Sequence, residues 1–203
     1  MNGGYDDGYR ACPCFWGTTP GSLVESLVNE LGDLSELTVL DVGCGEGKNA
    51  AYLAKLGCRV HASDISELAL ENAKKAWGGM SNITWEIADV RDVSFGTNEY
   101  DIVLAYGLLH CMQNAGQIDD TVRRLQVATR PAGFNVVCAL NDRFQQLDAH
   151  PGLEPCLMGH EHYIALYSSW ELIRASDSDL IESHPHNLIE HRHSLTRILA
   201  RKP

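Results

Sequence analysis

The sequence is short of positive charge, of long apolar runs and of any ordered cysteine pattern. Lysine and arginine number 16 against 27 acidic residues, a net charge of -11. A nucleic-acid partner requires a basic surface, so no nucleic acid is expected and a small-molecule substrate is. No apolar stretch approaches the roughly 18 residues of a membrane span, and the N-terminus does not read as a signal peptide. A cytoplasmic protein without a membrane partner, monomeric or homodimeric, is the expectation. The seven cysteines are odd in number and scattered. No disulfide framework follows, and Cys12-Pro13-Cys14 lacks the gap and the second pair of a zinc knuckle. At 203 residues the chain is read as one domain over 1–203, without room for a separate lid domain.

What is present is organised around Val39-Leu-Asp41-Val-Gly43-Cys44-Gly45-Glu-Gly47-Lys48-Asn49. An apolar strand runs into three alternating glycines and then into a helix, so a ligand can lie directly against backbone N–H groups at a strand end. The dinucleotide fingerprint would put its third glycine at position 48, which is Lys48, and this disfavours a pyrophosphate. Asp41, ahead of the glycines, suits a cationic amino-acid moiety better than a phosphate. Gly43, Cys44, Gly45 and Asn49 accompany it as cofactor-contact candidates.

Short strands and helices alternate along the chain. Strands are expected near 38–42, 58–63, 82–87, 101–106 and 134–140, and helices near 47–56, 66–77, 115–129 and 168–175. A further helix runs from Pro20 to Gly32, and a short one is allowed around Tyr5 to Arg10. Strands near 178–186 and 193–200 would close the sheet as an antiparallel hairpin. The fold class is therefore α/β, a doubly wound, mostly parallel seven-stranded sheet. Within it, 1–19 form an N-terminal arm or lid, 20–140 the cofactor-binding core and 141–203 the acceptor side.

Acids close three successive strands. Asp64, 23 residues past Asp41, is placed to accept from ribose hydroxyls, and Asp89 to accept from an adenine amino group while Ile65 and Val90 sandwich the ring. The fourth strand ends at Tyr106, a candidate contact to the amino-acid moiety, and His110 follows as either an acceptor contact and base or a core histidine. Tyr9, Arg10 and Trp16 of the arm are candidates for the acceptor pocket, with Arg10 and Arg192 available to hold an oxyanion.

Asp41-Val-Gly-Cys-Gly-Glu-Gly, Asp64, Ala88-Asp89-Val90, Tyr100-Asp101-Ile-Val-Leu-Ala and Arg130-Pro-Ala-Gly133-Phe resemble, in order and spacing, the motifs of class I S-adenosylmethionine-dependent methyltransferases. Tyr5-Asp-Asp7-x-Tyr9, Gly47-Lys-Asn-Ala-Ala-Tyr52 and the closing Leu195 to Lys202 are similar to the small TehB-type tellurite-resistance enzymes. The resemblance implies a Rossmann-like methyltransferase fold, S-adenosylmethionine as cofactor, and Asp41 with the turn on its methionine part, Asp64 on the ribose, and Asp89 and Val90 on the adenine. It also implies methyl transfer by in-line displacement to a metalloid oxyanion, a thiol or selenol, or a small metabolite, with His184 matching an active-site histidine. It departs over roughly 141–192, where the acceptor should be read.

Three histidine pairs, His160/His162, His184/His186 and His191/His193, lie in or beside that stretch. On a strand each pair would share a face, so chelation, lining of the acceptor site and no specific role are all open readings, and no metal is assigned. Two rivals to a methyltransferase are a nicotinamide-dependent oxidoreductase and a nucleoside- or metal-binding module without turnover.

Overall fold

A computed structural model describes residues 5–148, 150, 152–184 and 188–203. His186 and the first four residues of the arm lie outside the described residues. Seven strands form one sheet in the order β3-β2-β1-β4-β5-β7-β6. They are β1 (Thr38–Val42), β2 (Arg59–Asp64), β3 (Ile83–Ile87), β4 (Tyr100–Tyr106), β5 (Thr129–Gln145), β6 (Glu171–Glu182) and β7 (His191–Arg201). The first five are parallel, and β7 runs antiparallel to both β5 and β6. The order reverses beside β1, so the β1 and β4 carboxyl ends flank the crevice where ligands bind in open α/β sheets.

The central strands are apolar on both faces because helices cover both. Leu40, Val42, Val103 and Val137 pack on one side against α6 (Ala115–Ala128) and α7 (His160–Leu166). Val39, Leu104 and Val136 pack on the other against α2 (Ser22–Glu25), α3 (Leu27–Leu31) and α4 (Lys48–Lys55). Asp41 shares the face of Val39 and is therefore buried. Ser66 caps α5 (Glu67–Trp77) by accepting from the Ala69 N–H, and Asn114 caps α6 by accepting from the Gln117 N–H.

The expected helix from Pro20 is broken into α2 and α3 at Ser26, whose hydroxyl donates to the Leu23 carbonyl, a local competitor of helical bonding. The expected helix at 168–175 is a strand: β6 begins at Glu171 and pairs with β7 to its end. As the outer strand it is mostly exposed and carries Glu171, Arg174, Asp177 and Asp179 in place of the β-branched alternation that marks an inner strand. A seventh helix, α7, was not expected. Its signal is Tyr163 and Tyr167 spaced one helical turn apart, both fully buried. The arm carries the short helix α1 (Asp6–Ala11).

Candidate active site

A cavity of about 500 Å³ opens at the carboxyl ends of β1, β2 and β4. Its floor is the glycine turn. Gly43, Gly45 and Gly47 all have positive φ, and a Cβ on Gly45 would stand 3.0 Å from the Tyr9 hydroxyl while one on Gly43 would meet the Leu108 side chain at 2.7 Å. The backbone is bare there because no side chain fits. Asp64 clamps the turn, its carboxylate accepting from Gly45 N–H at 2.7 Å and Ser66 N–H at 2.8 Å. Asn49, opening α4, accepts from the Gly21 N–H at 2.8 Å and so fixes the loop before α2.

Asp41 is the anomalous group. It is 1% exposed and its Oδ2 has no protein partner. Burial and then the nearby Asp64 carboxylate push its pKa up to about 7, against a backbone bond from Ala50. Asp41 does not itself line the cavity; its leftover buried acceptor atom sits two residues ahead of the bare glycine turn, the end of the cleft that fits the cationic amino-acid part of S-adenosylmethionine. The adenine end is marked by Ile65 and Val90, which both line the cavity. Asp89 lines it too, but the Arg91 guanidinium and backbone N–H already occupy its carboxylate and hold its pKa below the ordinary value.

The arm forms the opposite wall. Tyr5, Tyr9 and Trp16 line the cavity, and the Tyr5 and Trp16 rings meet edge to face at 5.1 Å. What pins the arm there is Glu46, a residue the motif reading passed over. Lying between two glycines of the turn, it accepts from Cys14 N–H at 2.9 Å, Phe15 N–H at 2.6 Å and Asn72 Nδ2 at 3.0 Å. Lys48 adds a bond to the Trp16 carbonyl. An acid between two glycines of the turn was the signal available in the sequence.

His110 and Tyr5 meet at the inner end, His110 Nε2 standing 3.2 Å from the Tyr5 hydroxyl. The His110 Nδ1 accepts from the Leu140 N–H, which leaves the proton on Nε2 to be donated to Tyr5. Burial pushes the His110 pKa down to about 3. The imidazole is neutral and both nitrogens are engaged, so the reading of His110 as a base gives way to one in which it orients Tyr5. Tyr106 lines the cavity, its ring lying where Gly21 has no side chain.

Two expected contacts fall outside. Arg10 is exposed and pairs with Asp7 at 2.6 Å, three residues away on α1. Arg192 pairs with Asp179 at 2.6 Å and lies over the Phe144 ring, on the side of β7 away from the cavity that its neighbour His193 lines. The cations that do line the cavity are Lys48, Arg91 and Arg197, and Arg197 Nε is buried without a partner. His184 does not line it but is buried just behind, stacked on Phe15 at 4.7 Å.

Residues 39–133 match the family described as a methyltransferase domain. Demethylmenaquinone methyltransferase of Clavibacter sepedonicus is 31% identical over 101 residues, 49% of this chain and 40% of that protein. TehB of Haemophilus influenzae is 29% identical over 108 residues, 52% of this chain and 37% of that protein. Its crystal structure superposes with a TM-score of 0.72 at 20% identity, covering 89% of this chain and 61% of that one. A structure solved for the conversion of a disulfide bond into a thioacetal group during echinomycin biosynthesis superposes with a TM-score of 0.76 at 22% identity, covering 100% and 93%. The chain spans about half the length of the curated relatives it matches. The matched segment begins in β1 and holds the glycine turn, Asp64 and Asp89, so residues 39–133 are similar to methyltransferase domains, and the chain has the fold of the class I S-adenosylmethionine-dependent methyltransferases, TehB among them.

Proposed function

We propose that the protein transfers a methyl group to a small sulfur or selenium nucleophile. S-adenosylmethionine, held by the glycine turn, Asp64 and the Ile65–Val90 cleft, supplies a methyl group already activated on a sulfonium. The protein is left to place the acceptor in line and to exclude water. Tyr5, Tyr9 and Trp16 wall the cavity and present aromatic faces to a positive charge. The observation that carries the choice of acceptor is the engagement of both His110 nitrogens. A phenol or alcohol needs a base to lose its proton, whereas a thiol or selenol reaches the anion near neutral pH unaided. Lys48 and Arg197 complement an acidic group on such a molecule. The thioacetal-forming enzyme to which the fold is similar also works at sulfur.

A panel of thiols, selenols, tellurite and phenols, incubated with the enzyme and S-adenosylmethionine and read by S-adenosylhomocysteine formation, tests this. Turnover confined to thiols and selenols is expected. Turnover of phenols alone would overturn the acceptor class.

A further inference from the structure

Behind the inner end of the cavity four histidines converge. His191 and His193, two apart on β7, point to one face, and Glu182 lies opposite His191 in the β6–β7 register. His150 reaches in from the segment between β5 and α7. Its Nε2 lies 3.0 Å from His191 Nε2, 3.2 Å from His193 Nε2 and 3.2 Å from His184 Nε2. The Glu182 carboxylate stands 3.8 Å and 4.0 Å from the His191 and His193 Nε2 atoms. All four histidines are buried.

The proton inventory of this cluster does not close. His191 Nδ1 is 2.8 Å from the Ile189 carbonyl and His193 Nδ1 is 2.7 Å from Gln145 Oε1, so both Nδ1 atoms carry protons and both Nε2 atoms present lone pairs. Both lone pairs face His150 Nε2, which has at most one proton to give. Nitrogen lone pairs gathered around one point, with the His191 and His193 rings fixed by a carbonyl and an amide oxygen behind them, are the arrangement of metal-bound imidazoles.

We infer that His150, His191, His193 and Glu182 bind a divalent transition-metal ion of the zinc class at the acceptor end of the cavity. Their four ligand atoms lie within 4.8 Å of one another. Ligands at roughly 2.0–2.2 Å from a tetrahedral ion are about 3.3–3.6 Å apart, and the separations here bracket that edge. Imidazole nitrogen with one carboxylate suits zinc, nickel, cobalt or copper, whereas magnesium and calcium require oxygen. His150, Glu182 and His193 also line the cavity, so the ion faces the space where an acceptor lies. Holding a thiolate there is a role that rests on the methyl-transfer reading; the site itself does not.

The test uses the full chain, stripped with a chelator, dialysed, and titrated with ZnCl2 by calorimetry and with CoCl2 by visible absorption. One equivalent is expected to bind, with the d–d bands of cobalt in a protein site. His191→Ala and His193→Ala should weaken binding by about 100-fold or more, and Gln145→Ala, which frees the His193 ring, by about 10- to 100-fold. His162→Ala, whose ring bonds Asp119 on the far side of α7, should bind as the parent does. Should an alanine variant fail to fold by circular dichroism, His193→Gln and Glu182→Gln replace it. Folded parent protein that takes up no stoichiometric zinc or cobalt, or ligand variants that bind as tightly as the parent, would overturn the site. S-adenosylhomocysteine affinity, measured on the same samples, reports on the methyl-transfer reading separately: a protein that binds metal but not this ligand retains the metal site and loses the other.

Discussion

Tyr5 and His110, 105 residues apart in the chain, meet at 3.2 Å and join the arm to the loop after β4. The bond completes the wall of the cavity, and burial holds the phenol well above its ordinary pKa, so its proton remains in place beside Cys111. Tyr5→Phe strands the His110 Nε2–H and removes the hydroxyl. Affinity for S-adenosylhomocysteine is expected to stay within about twofold, while methyl transfer falls about tenfold, the worth of one hydrogen bond. Deleting residues 1–16 should likewise cost more transfer than affinity. Equal losses in both, by calorimetry and product formation, would reduce the arm to surface packing.

Asp64 accepts from Gly45 and Ser66 and also lines the cavity. Asp64→Ala should weaken S-adenosylhomocysteine binding by about 1.5–3 kcal/mol, or roughly 10- to 150-fold, with the sheet intact by circular dichroism. Gly45→Val, where φ is positive and Tyr9 is 3.0 Å from the new Cβ, should abolish binding. Unaltered calorimetric titrations for folded variants would place the ligand elsewhere.

Asp41 gives a pH signature. Its pKa is raised from an ordinary carboxyl value to about 7, chiefly by burial. Between about pH 4 and pH 7 the folded chain therefore holds a proton that the unfolded chain has lost, so stability falls as pH rises through that window and the loss is complete above it. Asp41→Asn does not titrate. Its stability relative to the parent should rise between pH 5 and pH 8 by an amount on the order of 3 kcal/mol, seen in urea unfolding without ligand. Parallel pH profiles for the two proteins would show that Asp41 ionises normally.

The parts of the fold legible in the sequence are those where local pattern and tertiary environment agree. The strand–glycine–helix unit from Val39 to Lys55 and the acids closing β1 and β2 needed only a short apolar run, glycine spacing and the helical period that follows. The region from Asn141 to Glu182 was hard for an equally physical reason. β6 is an outer strand whose exposed, charged residues carry no apolar alternation, and α7 is too short to show a long periodic face. The histidine pairs could be seen in the sequence, but not their convergence: the unpaired His150 stands 41 and 43 residues from its partners, and only the β6–β7 register brings Glu182 to His191. Arg10 and Arg192 were chosen by charge alone, and nearby aspartates satisfy both.

Glu46 occupies the turn that forms the cavity floor, yet its oxygens hold Cys14 and Phe15 of the wall opposite. Floor and wall are thus fastened to each other through one carboxylate. Opening the wall strands two backbone N–H groups or leaves the carboxylate with fewer partners, each a cost of about 1–3 kcal/mol if buried. If ligand passes between floor and wall, Glu46→Gln is expected to alter the rate of S-adenosylhomocysteine release without touching any reacting atom, and stopped-flow release measures it.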